Sequence, residues 1–343
     1  MRTTILGRTG LEVPRVGLGG IPIQRLTDEE AVRVVRRCLD LGITFLDTAN
    51  GYTTSEERIG KAIQGRRNQV VLATKTMARD KETAEEHLAL SLRRLQVDYI
   101  DVWQLHNVSD LATYERVLGP GGALEAARDA VHAGKVGHIG LSSHSMDVAL
   151  AAVQSDLFET IQFPLNFVTN EAAAQLVPLA QARDVGFIAM KPFGGGMLDN
   201  ARLAIKYLLQ FEGVVSDPGV QSVDEIEEIT EIVAGPWALT DEELGEIERI
   251  RQVVDRRFCR RCQYCERCPE GVRISTVMTV RSFVERFPLE RVVTGFVAEA
   301  MASASLCIEC GECEAKCPYR LPIREMIRDN VAYYEQALAS AAT

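Results

Sequence analysis

Gln69–Lys75 (QVVLATK) and Asp98–His106 (DYIDVWQLH) decide the fold, because each is a short, β-rich apolar run that ends on an ionisable side chain. Thr44–Asp47 (TFLD) has the same form one unit earlier. Near-continuous apolar strands belong in a parallel sheet covered by helices, not in a half-solvated antiparallel one. Outward from these runs the pattern continues. Val136–Ser142, Glu159–Phe163, Gly186–Lys191 and Gly213–Val215 read as strands on the C-terminal side, and Arg15–Gly19 on the N-terminal side. Helical patterns separate them at Thr27–Leu41, Ser55–Gln64, Thr83–Leu95, Ala123–Ala133, Asp147–Gln154, Glu171–Arg183, Ala201–Gln210 and Val223–Val233. Eight strand-plus-helix units predict an α/β chain closed into a (β/α)8 TIM barrel.

Leu6–Val13 (LGRTGLEV), with Gly7 and Gly10, has the form of a hairpin that plugs the N-terminal end of that barrel. Leu239–Val253 starts with Thr240 followed by Glu243, a capping signal, and predicts the helix that closes the domain. Beyond Arg256 the composition turns to Cys, Arg and Glu, so the expected division is a barrel over 1–255 and a small, mainly helical region over 256–343. In that region Val277–Phe287, Leu289–Ala300 and Met326–Leu338 read as helices, and Asn107–Pro120 of the barrel reads as a loop.

Size and charge bound the function. The 343 residues exceed a barrel of roughly 250 residues by a small appendage. Acidic residues outnumber basic ones by 48 to 38, and no basic run offsets the net charge of −10, which argues against nucleic-acid binding. Met1–Gly10 holds no apolar leader, and no stretch of about 18 apolar residues occurs. The expectation is a cytoplasmic protein that does not cross a membrane.

In a barrel the C-terminal strand ends converge on one face, and that face carries the chemistry. Asp47, Lys75 and His106 therefore meet there, with Tyr52 in the adjoining loop DTANGY. The set suits proton donation to a carbonyl oxygen while hydride reaches the carbon. A free phenol holds its proton until about pH 10, so a nearby ammonium is needed to ease its release. Lys75 supplies the ammonium, Asp47 its counter-ion, and His106 a hydrogen bond to the substrate oxygen. His87 and His132 sit inside helical patterns and are given no role.

DTANGYTTSEERIG, LATK and YIDVWQLH resemble the three signature regions of the aldo/keto reductase superfamily, over about residues 3–254. The resemblance implies Tyr52 as acid/base, supported by Asp47, Lys75 and His106, and NAD(P)H bound extended across the barrel mouth without a Rossmann domain. It also implies that Ser142, Ser143 and Gln162 hold the nicotinamide carboxamide, which needs both donors and acceptors. Gly194, in the loop PFGGGM, and Gly219, which feeds a helix start, stand where backbone N–H groups approach phosphates. Lys191 offers a further phosphate contact. The pattern departs from the family at Met190, where an aromatic residue is usual, and near Gln221, where a cation for a 2′-phosphate is usual; NAD thus stands beside NADP.

Eight of nine cysteines fall in two groups. Cys307, Cys310, Cys313 and Cys317, followed by Pro318, match C-x2-C-x2-C-x3-C-P, the pattern of two-cluster bacterial ferredoxins, whose fourth cysteine crosses to the other cluster. Cys259, Cys262, Cys265 and Cys268, followed by Pro269, repeat it with one residue fewer before the last cysteine. Crossed ligation assigns Cys259, Cys262, Cys265 and Cys317 to one 4Fe-4S cluster, and Cys268, Cys307, Cys310 and Cys313 to the other. Structural zinc and a single cluster are the competing readings. The tail resembles the ferredoxin-like extension of one branch of bacterial and archaeal aldo/keto reductases.

The reading that absorbs most of these residues is an oxidoreductase exchanging a hydride between a nicotinamide and a small aldehyde or ketone. Its clusters are structural or face a redox partner protein. A cofactor-sensing subunit and a ferredoxin-like electron carrier are the alternatives.

Overall fold

The computed structural model describes residues 1–266 and 268–341; the expected second region thus includes residues 267 and 342–343, which lie outside the described ones. The chain divides into two compact units, Met1–Gly194 with Leu198–Thr240, and Gly195–Met197 with the residues from Asp241 onward. This division falls ahead of residue 255 and assigns the helix Asp241–Val254 to the second unit.

In the first unit, β1 (Thr3–Ile5) and β2 (Glu12–Pro14) form the hairpin. The barrel strands follow: β3 (Leu18–Gly19), β4 (Phe45–Asp47), β5 (Val71–Thr76), β6 (Ile100–Leu105), β7 (Val136–Ser142), β8 (Thr160–Pro164), β9 (Gly186–Met190) and β10 (Val214–Ser216). They pair in sequence order, all parallel. Closure comes from the chain flanking β3, which makes parallel bridges Val16 to Ser216 and Gly19 to Gly219. Gly17 N donates to Ser216 O at 2.7 Å, and Gly19 N to Pro218 O at 2.8 Å. The sheet is a barrel.

Register sets the mouth. Lys75 lies opposite Gln104, and Ser142 opposite Gln162, so polar side chains from successive strands end at one level. At the other end Leu6 and Val13, both fully buried, pack with Phe45, Ala73, Val102, Ile188 and Val215 and plug the barrel as the hairpin reading expects. Gly7 is required there: its φ is +54°, and a Cβ would stand 2.2 Å from Gly186 N.

The outer helices start on caps legible in the sequence. Thr27 and Glu30 form a reciprocal capping box on Asp28–Asp40, and Asp80, Ser145, Asn200 and Ser222 each accept a backbone N–H of the helix they open. Two segments differ from expectation. The loop 107–120 contains a helix, Leu111–Leu118, capped by Asp110. The helix expected over Glu171–Arg183 is split into Glu171–Ala174 and Leu176–Ala182. Pro178 is the cause: it lacks the N–H that would bond Ala174 O, and its ring clashes with that carbonyl.

The second unit is helical, with a core that includes Val272, Ile274, Val277, Val280, Val297, Leu321 and Ile323, against which six of the cysteines pack. Its expected helices are broken more often than their periodicity shows. Leu289–Ala300 becomes Leu289–Val293 and Gly295–Ser303, with Gly295 at φ +66°. The last helix runs Ile323–Ala341; Asn330 donates from it to Val277 O at 3.1 Å and Tyr334 to Val292 O at 2.9 Å. Among the described residues no helix is long and apolar enough to cross a membrane.

Candidate functional site

The barrel mouth gathers the four expected side chains. Asp47 ends β4 and Lys75 stands one residue from the end of β5, both almost wholly buried. Lys75 Nζ donates to Asp47 Oδ2 at 2.5 Å and to Thr48 O at 2.7 Å. Tyr52 lies in the loop after β4, with the ammonium 5.1 Å from its ring centroid. His106 follows β6, its ring meeting that of Tyr52 edge-on at 5.7 Å.

Electrostatics follow from burial. Desolvation works to discharge Lys75, but the charge of Asp47, with Tyr52 and Asp217 behind it, holds the ammonium above the ordinary lysine value. Burial pushes the Tyr52 phenol up to about 12, and Lys75 pulls it back only in part, against Asp47 and Asp217. The phenol therefore sits above its ordinary value and not below it, as the ammonium alone suggests. At neutral pH it is a proton donor.

Two side chains join the cluster that the sequence reading did not assign. Gln104 Nε2 donates to Asp47 Oδ1 at 3.2 Å. Asp217 follows β10, and its Oδ2 accepts from Gln162 Nε2 at 2.6 Å while the same nitrogen donates to Asp47 Oδ2 at 3.0 Å. The signal at Asp217 is the one that marks Asp47, an acid ending an apolar strand, but Asp-Pro-Gly reads first as a turn.

The expected cofactor residues separate. Gln162 is in the cluster, and its Oε1, like Asp217 Oδ1, is buried without a hydrogen-bond partner among the described residues. Such acceptors fit the amino group of a carboxamide. Ser142 Oγ accepts from Asn107 N at 2.9 Å. Ser143 Oγ is engaged by the loop, donating to Val108 O at 2.7 Å and accepting from Ser145 N at 2.9 Å. Lys191, at φ +59°, and Gly194, at φ +56°, form the turn after β9, closed by Gly194 N to Lys191 O at 2.9 Å. Gly219 lies at the barrel closure, and the exposed Gln221 gives its N–H to Glu225 Oε2 at 2.7 Å.

In the second unit the eight clustered cysteines line two cavities. Cys259, Cys262, Cys265 and Cys317 border one; Cys268, Cys307, Cys310 and Cys313, with Cys265 on the shared side, border the other. The two cysteine loops take the same path. Arg261 and Glu309 have φ of +57° and +55°, Gln263 and Gly311 +67° and +80°, and Gly271 and Arg320 +77° and +50°. Turns of this kind aim backbone N–H groups inward and form the concavities that hold anionic iron–sulfur centres. Four thiols per cavity and such backbone fit 4Fe-4S groups. Among the described residues no three His, Cys, Asp or Glu side chains form a site for a single metal ion.

Comparison with known proteins agrees with both units. Residues 15–203 match the aldo/keto reductase family, and residues 258–322 match the 4Fe-4S dicluster domain. Aldo-keto reductase YhdN of Bacillus subtilis is 36% identical over a 206-residue alignment, with coverage of 53% of this chain and 59% of that relative. L-galactose dehydrogenase of Arabidopsis thaliana is 30% identical over 213 residues, 56% of this chain and 66% of the relative. Among solved structures, an aldo-keto reductase of Bacillus halodurans in its holo form superposes with a TM-score of 0.65 at 25% identity, covering 73% of this chain and 96% of that one. One from Klebsiella pneumoniae in complex with NADPH gives 0.64 at 23% identity, covering 73% and 95%. Family match, barrel topology and convergent side chains lead to one conclusion: the chain belongs to the aldo/keto reductase family and carries a C-terminal 4Fe-4S dicluster domain.

Proposed function

We propose that the barrel exchanges a hydride between a nicotinamide cofactor and a carbonyl or alcohol substrate, an aldehyde or ketone of small size. The observation that carries this reading is the buried Lys75 ammonium held between Asp47 and the Tyr52 phenol. A substrate oxygen at the Tyr52 hydroxyl takes its proton, Lys75 stabilises the phenolate left behind, and His106 orients the oxygen. When bound, the nicotinamide supplies the hydride. Gln162 and Ser142 would hold its carboxamide.

The adenosine end favours NADH. Gln221 N–H is already taken by the Glu225 carboxylate, and no Lys or Arg lies between Gly213 and Thr230, so a 2′-phosphate would meet an anion there. The Klebsiella structure does hold NADPH, which makes titration with both cofactors the direct comparison.

Two 4Fe-4S clusters would occupy the two cysteine cavities, each passing one electron when bound. Nicotinamide moves electrons in pairs, so the clusters serve the fold or a redox partner protein and not the hydride step. Cys310 is exposed, which supports the partner-facing reading. Thiolates kept for iron also suit the reducing cytoplasm.

The test is turnover of a panel of aldehydes by anaerobically purified protein. Tyr52→Phe should lose about 10²–10⁴-fold in kcat/KM with NADH still binding. Wild-type turnover retained in Tyr52→Phe, or none in either protein, sinks the reading in favour of a sensing subunit or an electron carrier.

A further inference from the structure

We propose that Asp217 is a further positioning residue of the barrel site, a carboxylic acid that keeps its proton beside the Asp47–Lys75 pair and so adds no second negative charge next to Tyr52. This deepens the reductase reading and rests on it. The geometry is a count of charges around one amide. Gln162 Nε2 reaches Asp217 Oδ2 at 2.6 Å and Asp47 Oδ2 at 3.0 Å, and the same Asp47 oxygen accepts from Lys75 at 2.5 Å. Asp47 is 3% exposed and Asp217 6%. Two buried carboxyl groups thus share one amide, and the one ammonium beside them is bonded to Asp47. If both were ionised, one buried negative charge would stand uncompensated, a state that low dielectric penalises heavily. One proton therefore stays on the pair.

Asp217 is the member that holds it. Burial raises its carboxyl well above the usual range, the nearby charge of Asp47 raises it further, and Lys75 and Gln162 oppose. Asp47 keeps the ammonium. Among the described residues, the charged and titratable groups that act on Asp217 are Asp47 from β4, Lys75 from β5 and Tyr52 in the loop above, with the Gln162 amide from β8 bonded to it; β9 and the chain at Gly19 meet it through backbone.

The carboxyl has little freedom to leave. Asp217 N donates to Ala189 O at 3.3 Å, the next carbonyl, that of Pro218, accepts from Gly19, and a Cβ at Gly19 would stand 2.6 Å from Asp217 O. The residue is clamped where the first and last strands close. An ionised Asp217 would raise the Tyr52 phenol still higher, because a second negative charge beside it disfavours the phenolate. A neutral Asp217 spares the phenol that load.

Infrared difference spectra of the full-length, cluster-loaded protein at pH 7, without substrate, read the proton directly. Wild type should show the carbonyl stretch of a protonated carboxylic acid, and Asp217→Asn should lack it. Among the described residues Glu56 is a further buried carboxyl raised by burial, and it is bonded to Thr74 and Arg94. The band should therefore survive in Glu56→Gln, which also decides the matter if Asp217→Asn does not fold. In kinetics Asp217→Leu should lose about tenfold in kcat/KM, the cost of one unmatched buried hydrogen bond, and Asp217→Asn should recover most of it. No band in wild type, or a band lost with Glu56, overturns the proposal. The band judges Asp217 alone, whereas failure of the reductase reading appears as Tyr52→Phe turning over like wild type.

Discussion

Lys75 is the residue on which the barrel site depends. Its ammonium, 2.5 Å from Asp47, is one partner of an ion pair almost closed to water. Lys75→Met would leave the Asp47 charge buried without its cation, and denaturant melts should show a loss of about 3–5 kcal/mol. The same variant removes the one charge that pulls the Tyr52 phenol down, so turnover should fall along with stability. In wild type the phenol stays protonated up to about pH 12. Carbonyl reduction should therefore hold its rate through neutral and mildly alkaline pH, while alcohol oxidation, which starts from the phenolate, should rise about tenfold per pH unit below that value; pH profiles in both directions check the sign. Asp47, Lys75 and His106 were legible because an ionisable residue closing an apolar strand has few structural uses. Asp217 carries the same mark, but its strand is only three residues long and Asp-Pro-Gly obscures it. The rise of the phenol was not legible at all, since burial is a property of the packed mouth.

Elements were read more surely than their interruptions. All eight barrel strands lie where alternation placed them, and Val136–Ser142 has the predicted bounds. The helix Leu111–Leu118 escaped because one short helix beside a second, Ala123–His132, breaks the one-strand-one-helix count. Pro178 was visible, but a proline in a helix's first turn is tolerated, and only the carbonyl it displaces shows which turn was lost. The hairpin is the element with the largest structural consequence for its length. Leu6 is fully buried among Phe45, Val102 and Ile188, so Leu6→Ala should cost about 2–5 kcal/mol by thermal or urea melt. The mouth is built from the opposite strand ends, and KM for substrate should stay unchanged below the melt.

At the scale of the whole molecule, two compact units follow two different logics. The barrel unit is held by a closed sheet and a large apolar core. The second unit has a smaller core, and six of its cysteines pack against it, so its stability should follow its metal content. Cys317→Ala tests the crossed arrangement. Cys317 lies far along the chain from Cys259, Cys262 and Cys265, yet it borders their cavity. Iron and visible absorbance should fall by about half, with the loss from the first site; an unchanged first cluster would show that each group of four serves its own site.

The matched backbone bends around the two cavities carry a consequence for the unequal cysteine spacings. The first two bends recur at the same offsets from the first cysteine of each loop, and the third at the same offset from the last, although Cys268 follows its neighbour one residue sooner than Cys317 follows Cys313. Since each fourth thiol borders the opposite cavity, the spacer before it does not shape its own loop. With a cluster in each cavity, that spacer would set the distance between the two, and a one-residue change in it should alter electron transfer between them while both cavities keep their form.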